Sequence, residues 1–227
     1  MMTQIVSPRA GNVRLRSMCI VAAVLAASTA LFPASALASG RRRGAHHSRR
    51  AQAQARRHLT RHHRPRCIDS HARIGHVPGA AIERATLCLL NHQRTERGLP
   101  RLRHSRLLIR SAQHWTNTMV RDRAFSHGSD FSARITAVGF NWSRAGENIA
   151  DGYRTASGAV RAWMRSLGHC QNILTPVFRE AGAGFDRGSA IGARAPRGTW
   201  TLDLALGMHQ RAYSENWKPA EGCPYRH

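Results

Sequence analysis

The hydrophobic pattern of this chain changes period part-way along, and that change limits the possible folds more than any other feature. From residue 81 onward, apolar side chains recur three and four positions apart, which is the spacing of one face of a helix. After residue 180 they alternate with small or polar residues, the two-residue period of half-buried strands. Helices first and an antiparallel hairpin last are typical of an α+β domain.

The pattern predicts four helices before the two strands. The first covers residues 81–97 and ends at Gly98, and the second covers 105–123 with Ser105 as its N-cap. A short helix follows over 132–138, and Thr155 caps the fourth. The apolar positions of the strands are Ala181, Ala183, Phe185, Trp200, Leu202, Leu204 and Leu206, and Asp203 falls at an alternate position of the second strand.

The first 38 residues have the three parts of a secretory signal peptide. Basic residues come first, an apolar run over 19–32 follows, and Ala36-Leu37-Ala38 supplies a small-x-small cleavage pattern. The apolar run is shorter than the roughly 20 residues of a membrane span, and an uncleaved anchor is the alternative. We therefore expect a protein that is secreted and extracellular, or associated with the cell envelope.

Residues 39–66 form a basic arm that holds ten arginines, five histidines and no acidic residue. Such a composition buries too little apolar surface to offset the entropy of ordering, so we expect the arm to be disordered. It either binds anionic cell-envelope polymers or is a solvated spacer. The second alternative arises because arginine is abundant along the whole chain, where it makes up 34 of the 35 basic residues. Residues 67–80 are expected to be a linker, 81–209 the folded domain and 210–227 a C-terminal tail.

Four cysteines remain once the signal peptide is removed, and an even number in an exported protein predicts two disulfides. Four cysteines allow three connectivities, and we expect Cys67 with Cys88 and Cys170 with Cys223. The first pair would tie the linker to the first helix, and the second would tie the tail beside His169. Free buried thiols are the alternative.

Four polar residues in the middle of the chain carry the chemistry of a possible site: His127, Glu147, His169 and Glu180. Each has a structural interpretation when taken alone. The two histidines can lie at helix ends, Glu147 can bond backbone amides in a turn that begins at Gly146, and Glu180 can begin a strand at the surface. Together, two imidazoles and two carboxylates can bind a metal, transfer protons or bind a polar ligand.

Seven short motifs occur in the order found in the CAP superfamily, the cysteine-rich secretory, antigen five and pathogenesis-related-one proteins. Residues 81–207 resemble the compact bacterial branch, whose domain is called SCP-like. The motifs are Leu90-Asn91 with Arg94 and Gly98-Leu99, Ala112-Gln113 with Met119, Phe125-Ser126-His127, Gly146-Glu147-Asn148-Ile149-Ala150, Trp163-Met164 with Ser166, Gly168-His169 with Asn172-Ile173-Leu174, and Glu180-Ala181-Gly182-Ala183-Gly184.

The resemblance implies a three-layer α-β-α sandwich with a small antiparallel sheet. It also implies that His127, Glu147, His169 and Glu180 share one cavity, in which the two histidines hold zinc or another divalent cation and the glutamates act behind them. Two imidazoles and water make an open ligand set, since structural zinc sites use four protein ligands. Metal affinity is therefore expected to be conditional.

Three functions follow, and we rank a secreted binding module first. Its ligand would be a metal, a small apolar or lipid molecule, or an envelope component. The second is a metal-assisted hydrolase, with water activated at His127 and His169 and a glutamate as general base. The third is a structural protein tethered by its arm. The chain has no His-Glu-x-x-His helix, nucleophile elbow or phosphate-binding loop, and no feature indicates specific nucleic acid recognition.

Overall fold

The computed structural model describes residues 4–6, 66–192, 197–213 and 222–224. It contains helices and a mainly antiparallel sheet, so the predicted α+β class is confirmed. In chain order the elements are β1 (Gln4–Val6), α1 (Gly79–Thr95), β2 (Arg103–His104), α2 (Arg106–Asp122), α3 (Phe131–Ala137), β3 (Trp142–Tyr153), α4 (Ala156–Arg165), α5 (Leu167–Leu174), β4 (Glu180–Asp186) and β5 (Gly198–Gly207).

The helix boundaries follow local capping signals. The Ser105 hydroxyl accepts a hydrogen bond from the backbone of α2, and Thr155 and Asp130 do the same for α4 and α3. Gly98 and Gly139 adopt φ values of 74° and 85° after α1 and α3, in the left-handed region that glycine enters without steric cost. The first three predicted helices are therefore confirmed to within two residues at each end, and the fourth begins after Thr155 as predicted.

The five strands form one sheet in the order β1-β3-β5-β4-β2. The predicted hairpin is confirmed, because β4 and β5 pair antiparallel along their length. The long strand β3, which also pairs antiparallel with β5, was not predicted. Both of its faces are covered by helices, so its burial does not alternate and no two-residue pattern marks it.

Helices cover both faces of the sheet, as the three-layer prediction requires. On one face, α1, α4 and α5 pack on side chains such as Ala183, Trp200 and Leu202. On the other face, α2 and α3 pack on Ala145 and Ala205. The alternation of β5 thus separates two buried layers rather than a buried face from an exposed one.

Two glycines of β4 allow α2 to lie very close to the sheet. A Cβ at Gly182 would overlap the backbone of Leu108 and Ile109, and one at Gly184 would overlap Ala112 and Gln113. Only glycine fits at these two positions, because the helix backbone occupies the space that a side chain would need. Their spacing of two residues matches the strand period, so both face α2.

The two predicted disulfides are confirmed: Cys67 bonds Cys88, and Cys170 bonds Cys223. The segment before α1 is irregular, as expected of a linker, but it packs on the domain. Ile74 is buried in the core, and its amide donates to the carbonyl of Arg154.

The first strand, β1, lies within the predicted signal peptide and pairs antiparallel with residues 145–147 of β3. The rest of that peptide lies outside the described residues, as does the basic arm up to residue 65. Cleavage and the role of the arm therefore stay predictions. Among the described helices, none has the length and apolar character that a membrane crossing requires.

Candidate functional site

Glu147 lies in the middle of β3 and not in a turn. Its side chain is fully buried beneath α2 and α3, on the sheet face that also carries Ala145 and Ile149. Because β3 and β5 pair in register there, the residue directly opposite Glu147 is Asp203. A carboxylate so deep inside a protein needs partners, since an unpaired buried charge is very costly.

Both carboxylate oxygens of Glu147 have partners. His127 Nδ1 lies 2.7 Å from Oε1, and Arg134 Nη2 donates to Oε2 at 2.5 Å. Arg134 also donates from Nη1 to the carbonyl of His127, and its guanidinium stacks 3.9 Å from the ring centroid of Trp115. Arg134 comes from α3, so this short helix delivers the positive charge that balances Glu147.

Asp203 has no such cation of its own. It is 1% exposed, and its Oδ1 has no hydrogen-bond partner among the described residues. Burial, followed by the negative charge of Glu147, raises the pKa of Asp203 well above its ordinary value. Asp203 therefore keeps its proton to a higher pH than an ordinary aspartate does.

His169 lies on α5 and is 1% exposed. Burial, followed by the positive charge of His127, lowers its pKa to about 4, so the ring is neutral at pH 7. The carbonyl of His169 accepts from Asn148 on β3 at 3.0 Å, while Nε2 of the ring has no partner in the described structure. The name polar cluster below covers His127, Arg134, Glu147 and Asp203, together with His169, which belongs to α5 in the other layer but lies close enough for the charge of His127 to lower its pKa.

Glu180 lies outside the polar cluster. It is the first residue of β4, which lies two strands from β3. The β4 residue opposite Asp203 is Gly182, so Glu180 lies two residues along β4 from the row that joins Glu147 to Asp203. Sheet spacings put its Cα roughly 12 Å from that of Glu147. Burial alone would raise the pKa of Glu180, but hydrogen bonds from Arg103 and Gln210 outweigh it and lower that pKa.

Of the four predicted residues, the structure pairs His127 with Glu147 and places His169 near enough for the charge of His127 to act on it, while Glu180 has Arg103 and Gln210 as its partners. In its place are Asp203 and Arg134, which sequence reasoning missed. The signal for Asp203 was an acidic residue within the apolar strand Trp200–Leu206, although a half-buried strand would have exposed it. Arg134 had no distinguishing signal among the chain's many arginines.

Metal binding at His127 and His169 stays a prediction. No three His, Cys, Asp or Glu side chains within the described ranges are grouped to hold an ion. Glu147 is engaged on both oxygens, and the position beside it that a cation would occupy holds the guanidinium of Arg134. We therefore derive no step through a metal.

The sequence profile of the CAP family, the cysteine-rich secretory protein family, matches residues 87–203. This chain belongs to the CAP family. The matched range includes four of the five α-helices of the described residues in full, and all of the polar cluster. All seven motifs that pointed to the family lie within it.

Two curated relatives share this CAP domain. The uncharacterized protein YkwD of Bacillus subtilis is 35% identical over 117 residues, which cover 49% of this chain and 45% of YkwD. The uncharacterized membrane protein YlbC of the same species is 30% identical over 109 residues, 46% of this chain and 32% of YlbC. This chain therefore spans less than half the length of the relatives that it matches.

Two solved structures are similar to the CAP domain at the level of the chain trace. An extracellular protein of Bacillus anthracis that contains an SCP domain has a TM-score of 0.48 and 22% identity, covering 58% of this chain and 44% of its own. An outer surface protein of Borrelia burgdorferi has a TM-score of 0.46 and 17% identity, covering 52% of this chain and 87% of its own.

Proposed function

We propose that this protein is an exported CAP-domain binding module whose polar cluster receives an acceptor oxygen of a small polar ligand. One observation carries the proposal. Two nitrogen atoms of the cluster, Arg134 Nε and His169 Nε2, are buried without a hydrogen-bond partner in the described structure. Arginine Nε–H is always a donor, and leaving it unpaired costs about 1–3 kcal/mol. An oxygen acceptor from a ligand would remove that cost.

The ligand would enter beside His127. The side chains of His127 and Arg134 are 9% and 15% exposed, whereas that of Glu147 is 0% exposed. Because Nδ1 of His127 faces Glu147, its Nε2 is the atom left for a ligand. Trp115, half-buried and stacked on Arg134, forms the apolar wall of this opening.

Export is the second part of the proposal. Two disulfides form and persist in oxidising compartments, and they are rare in proteins kept in a reducing cytosol. The predicted signal peptide supports the same location. Recovery of the mature protein, beginning near Ser39, from culture medium or envelope fractions would be the expected result, and an uncleaved chain retained in the cytosol would contradict it.

The binding test uses three probes of similar size on the chelator-treated chain: acetate, acetamide and methylammonium. We expect the first two, which carry an acceptor oxygen, to shift the imidazole NMR signals of His127 and His169 at millimolar concentration. Methylammonium, which only donates, should leave them unchanged. Arg134→Gln should abolish the response to acetate, while Arg110→Gln, an exposed control on α2, should preserve it.

Two results would overturn this assignment. A response to methylammonium equal to that of acetate would show that the cluster does not select acceptors. A metal-dependent cleavage of peptide, ester or nucleic acid substrates, lost in a folded His169→Ala variant, would assign hydrolysis in place of binding.

A further inference from the structure

A basic groove runs along α4, in the layer on the opposite side of the sheet from α2 and α3. It has a volume of about 420 Å³ and is lined by Tyr153, Gly158, Arg161, Ala162 and Arg165. The apolar side of α4 packs into the core, so the groove lies on the outward side of the helix. It shares no residue with the polar cluster, and its role is therefore independent of the function proposed above.

The two arginines of the groove have no acidic partner. Arg161 and Arg165 are exposed, lie one helical turn apart, and form no ion pair within the described part of the chain. Helix α4 itself contains no acidic residue. Like charges at this spacing repel by a few tenths of a kcal/mol, and a bound anion would reverse that repulsion.

Glycine keeps the floor of the groove low. A Cβ at Gly158 would come within 3.5 Å of the Tyr153 ring and 3.3 Å of Thr155 Oγ1. A larger side chain there would fill the space between the tyrosine and the helix. The groove thus combines the aromatic ring of Tyr153 with the guanidinium groups of Arg161 and Arg165.

Further basic residues follow Tyr153 along the chain. The next residue, Arg154, borders a second cavity of about 190 Å³, which Arg73, Ile74 and His76 also line. On the adjoining turn, exposed Arg197 donates to the carbonyl of Gly152 at 3.0 Å. A row of separated cations fits a ligand with repeated charges better than a single small anion.

We propose that the groove binds a linear polymer that carries phosphate groups, as an exported protein would meet in the cell envelope. The planar guanidinium fork pairs with phosphate through two parallel hydrogen bonds, and Arg161 and Arg165 place two forks about 6 Å apart along one helix. A membrane surface fits less well, because none of the exposed large apolar side chains (Ile68, Ile191, Met208 and Tyr213) lines the groove.

The test measures the affinity of the full chain for inorganic polyphosphate at 150 mM salt. The groove variant is Arg161→Gln with Arg165→Gln. Its matched control is Arg106→Gln with Arg110→Gln, a pair that is also exposed and four residues apart, on α2 in the other layer. Both variants remove two charges and leave the arm intact. We expect at least a tenfold loss for the groove variant and less than threefold for the control.

A third variant separates shape from charge. Ala162→Leu fills the groove without changing any charge, so it should weaken polyphosphate binding while melting temperature stays within a few degrees of the wild type. Polyglutamate is the second probe. We expect it to bind more weakly than polyphosphate, and we expect its affinity to be equally insensitive to the groove substitutions and to the control substitutions.

Three outcomes would overturn the proposal. Equal losses in the groove and control pairs would assign binding to bulk charge. Unchanged polyphosphate affinity in the groove pair or in Ala162→Leu would exclude the groove. Single-stranded DNA that binds through the groove pair more tightly than polyphosphate would reassign the site to nucleic acid.

Discussion

Glu147 and Asp203 face each other across β3 and β5, and both side chains are buried. Two carboxylates at adjacent positions of a sheet cannot both be ionised at low cost. Arg134 and His127 are the hydrogen-bond partners of Glu147, whereas burial and the charge of Glu147 raise the pKa of Asp203. The pair explains why this buried row of the sheet tolerates two acidic residues, and it makes the stability of the protein depend on pH.

The first prediction follows from Asp203, whose pKa is raised in the folded state. Above the ordinary pKa of aspartate, about 3.9, the unfolded chain loses this proton while the folded chain keeps it. The unfolded state then binds fewer protons, so the contribution of Asp203 lowers stability by about 1.4 kcal/mol per pH unit until the folded pKa is reached. Asp203→Asn should remove this pH dependence. The stability of the variant relative to the wild type should therefore be higher at pH 8 than at pH 5.

Urea unfolding at several pH values measures this effect. Asp122→Asn is the control, since Arg121 lowers the pKa of this exposed residue and its dependence therefore lies below pH 4. An Asp203→Asn variant that is destabilised equally at pH 5 and pH 8 would show that Asp203 is ionised in the folded protein.

The second prediction concerns His169, whose folded pKa of about 4 lies below the ordinary value of 6.5. Between these pH values His169 is protonated in the unfolded chain but not in the folded chain. Stability therefore falls as the pH decreases from 6.5 to 4. The difference of about 2.5 pH units corresponds to about 3 kcal/mol. His169→Gln should lose less stability than the wild type over this range.

The effect of Asp203 is common to both proteins, so the difference between them isolates His169. Exposed His76→Gln is the control and should keep the wild-type acid sensitivity. Parallel pH profiles for His169→Gln and the wild type would mean that the pKa of His169 is the same in the folded and unfolded states.

The sequence predicted the fold where each signal was local. Ser105 and Thr155 capped the helices that they were expected to cap, and the alternation after residue 180 predicted the β4–β5 hairpin. It did not predict β3, because a strand covered on both faces has no alternating pattern. The site was predictable only in part for a related reason: Asp203 and Arg134 reach Glu147 through sheet register and helix packing, which no local pattern records.

The third prediction tests the close approach of α2 to β4. Gly182→Ala would place a methyl group where the backbone of Leu108 and Ile109 lies, and backbone cannot move aside as a side chain can. Overpacking of this kind costs about 1–3 kcal/mol, and we expect the upper end, about 3 kcal/mol, in urea unfolding. Gly79→Ala is the matched control, because its Cβ would lie 3.7 Å from the Phe185 ring, an ordinary contact. Equal stability of the two variants would contradict the proximity of α2.

The fourth prediction concerns Arg94, a fully buried cation whose guanidinium donates to the carbonyls of Pro100, Ile173, Thr175 and Phe178. Burial lowers its pKa only to about 10, so it stays charged at pH 7. Arg94→Lys keeps the charge but cannot reach four acceptors with one ammonium group. We expect a loss of about 3 kcal/mol in the free energy of unfolding, since carbonyls are left unpaired.

Arg101→Lys, at an exposed position near α1, is the control for this substitution and should change stability by less than about 0.5 kcal/mol. If Arg94→Lys is as stable as that control, the charge alone holds the loops, and the hydrogen-bonding fork of Arg94 contributes nothing.

The fifth prediction is that Arg134 sets the metal affinity of the polar cluster. In the wild type its guanidinium is paired with Glu147, so a divalent cation would meet a positive charge and a carboxylate without a free oxygen. Arg134→Gln removes that charge and frees Oε2 of Glu147 to join the two imidazoles as a third ligand, the number found in catalytic zinc sites. Zinc should therefore stabilise chelator-treated Arg134→Gln by about 1.4 kcal/mol at ten times Kd, which a rise in melting temperature would report.

The arm histidines are common to both proteins, so any zinc that they bind cancels in the comparison. Arg110→Gln, which loses the same charge on α2, should respond to zinc as the wild type does. A wild-type response as large as that of Arg134→Gln would show that the guanidinium does not block the site.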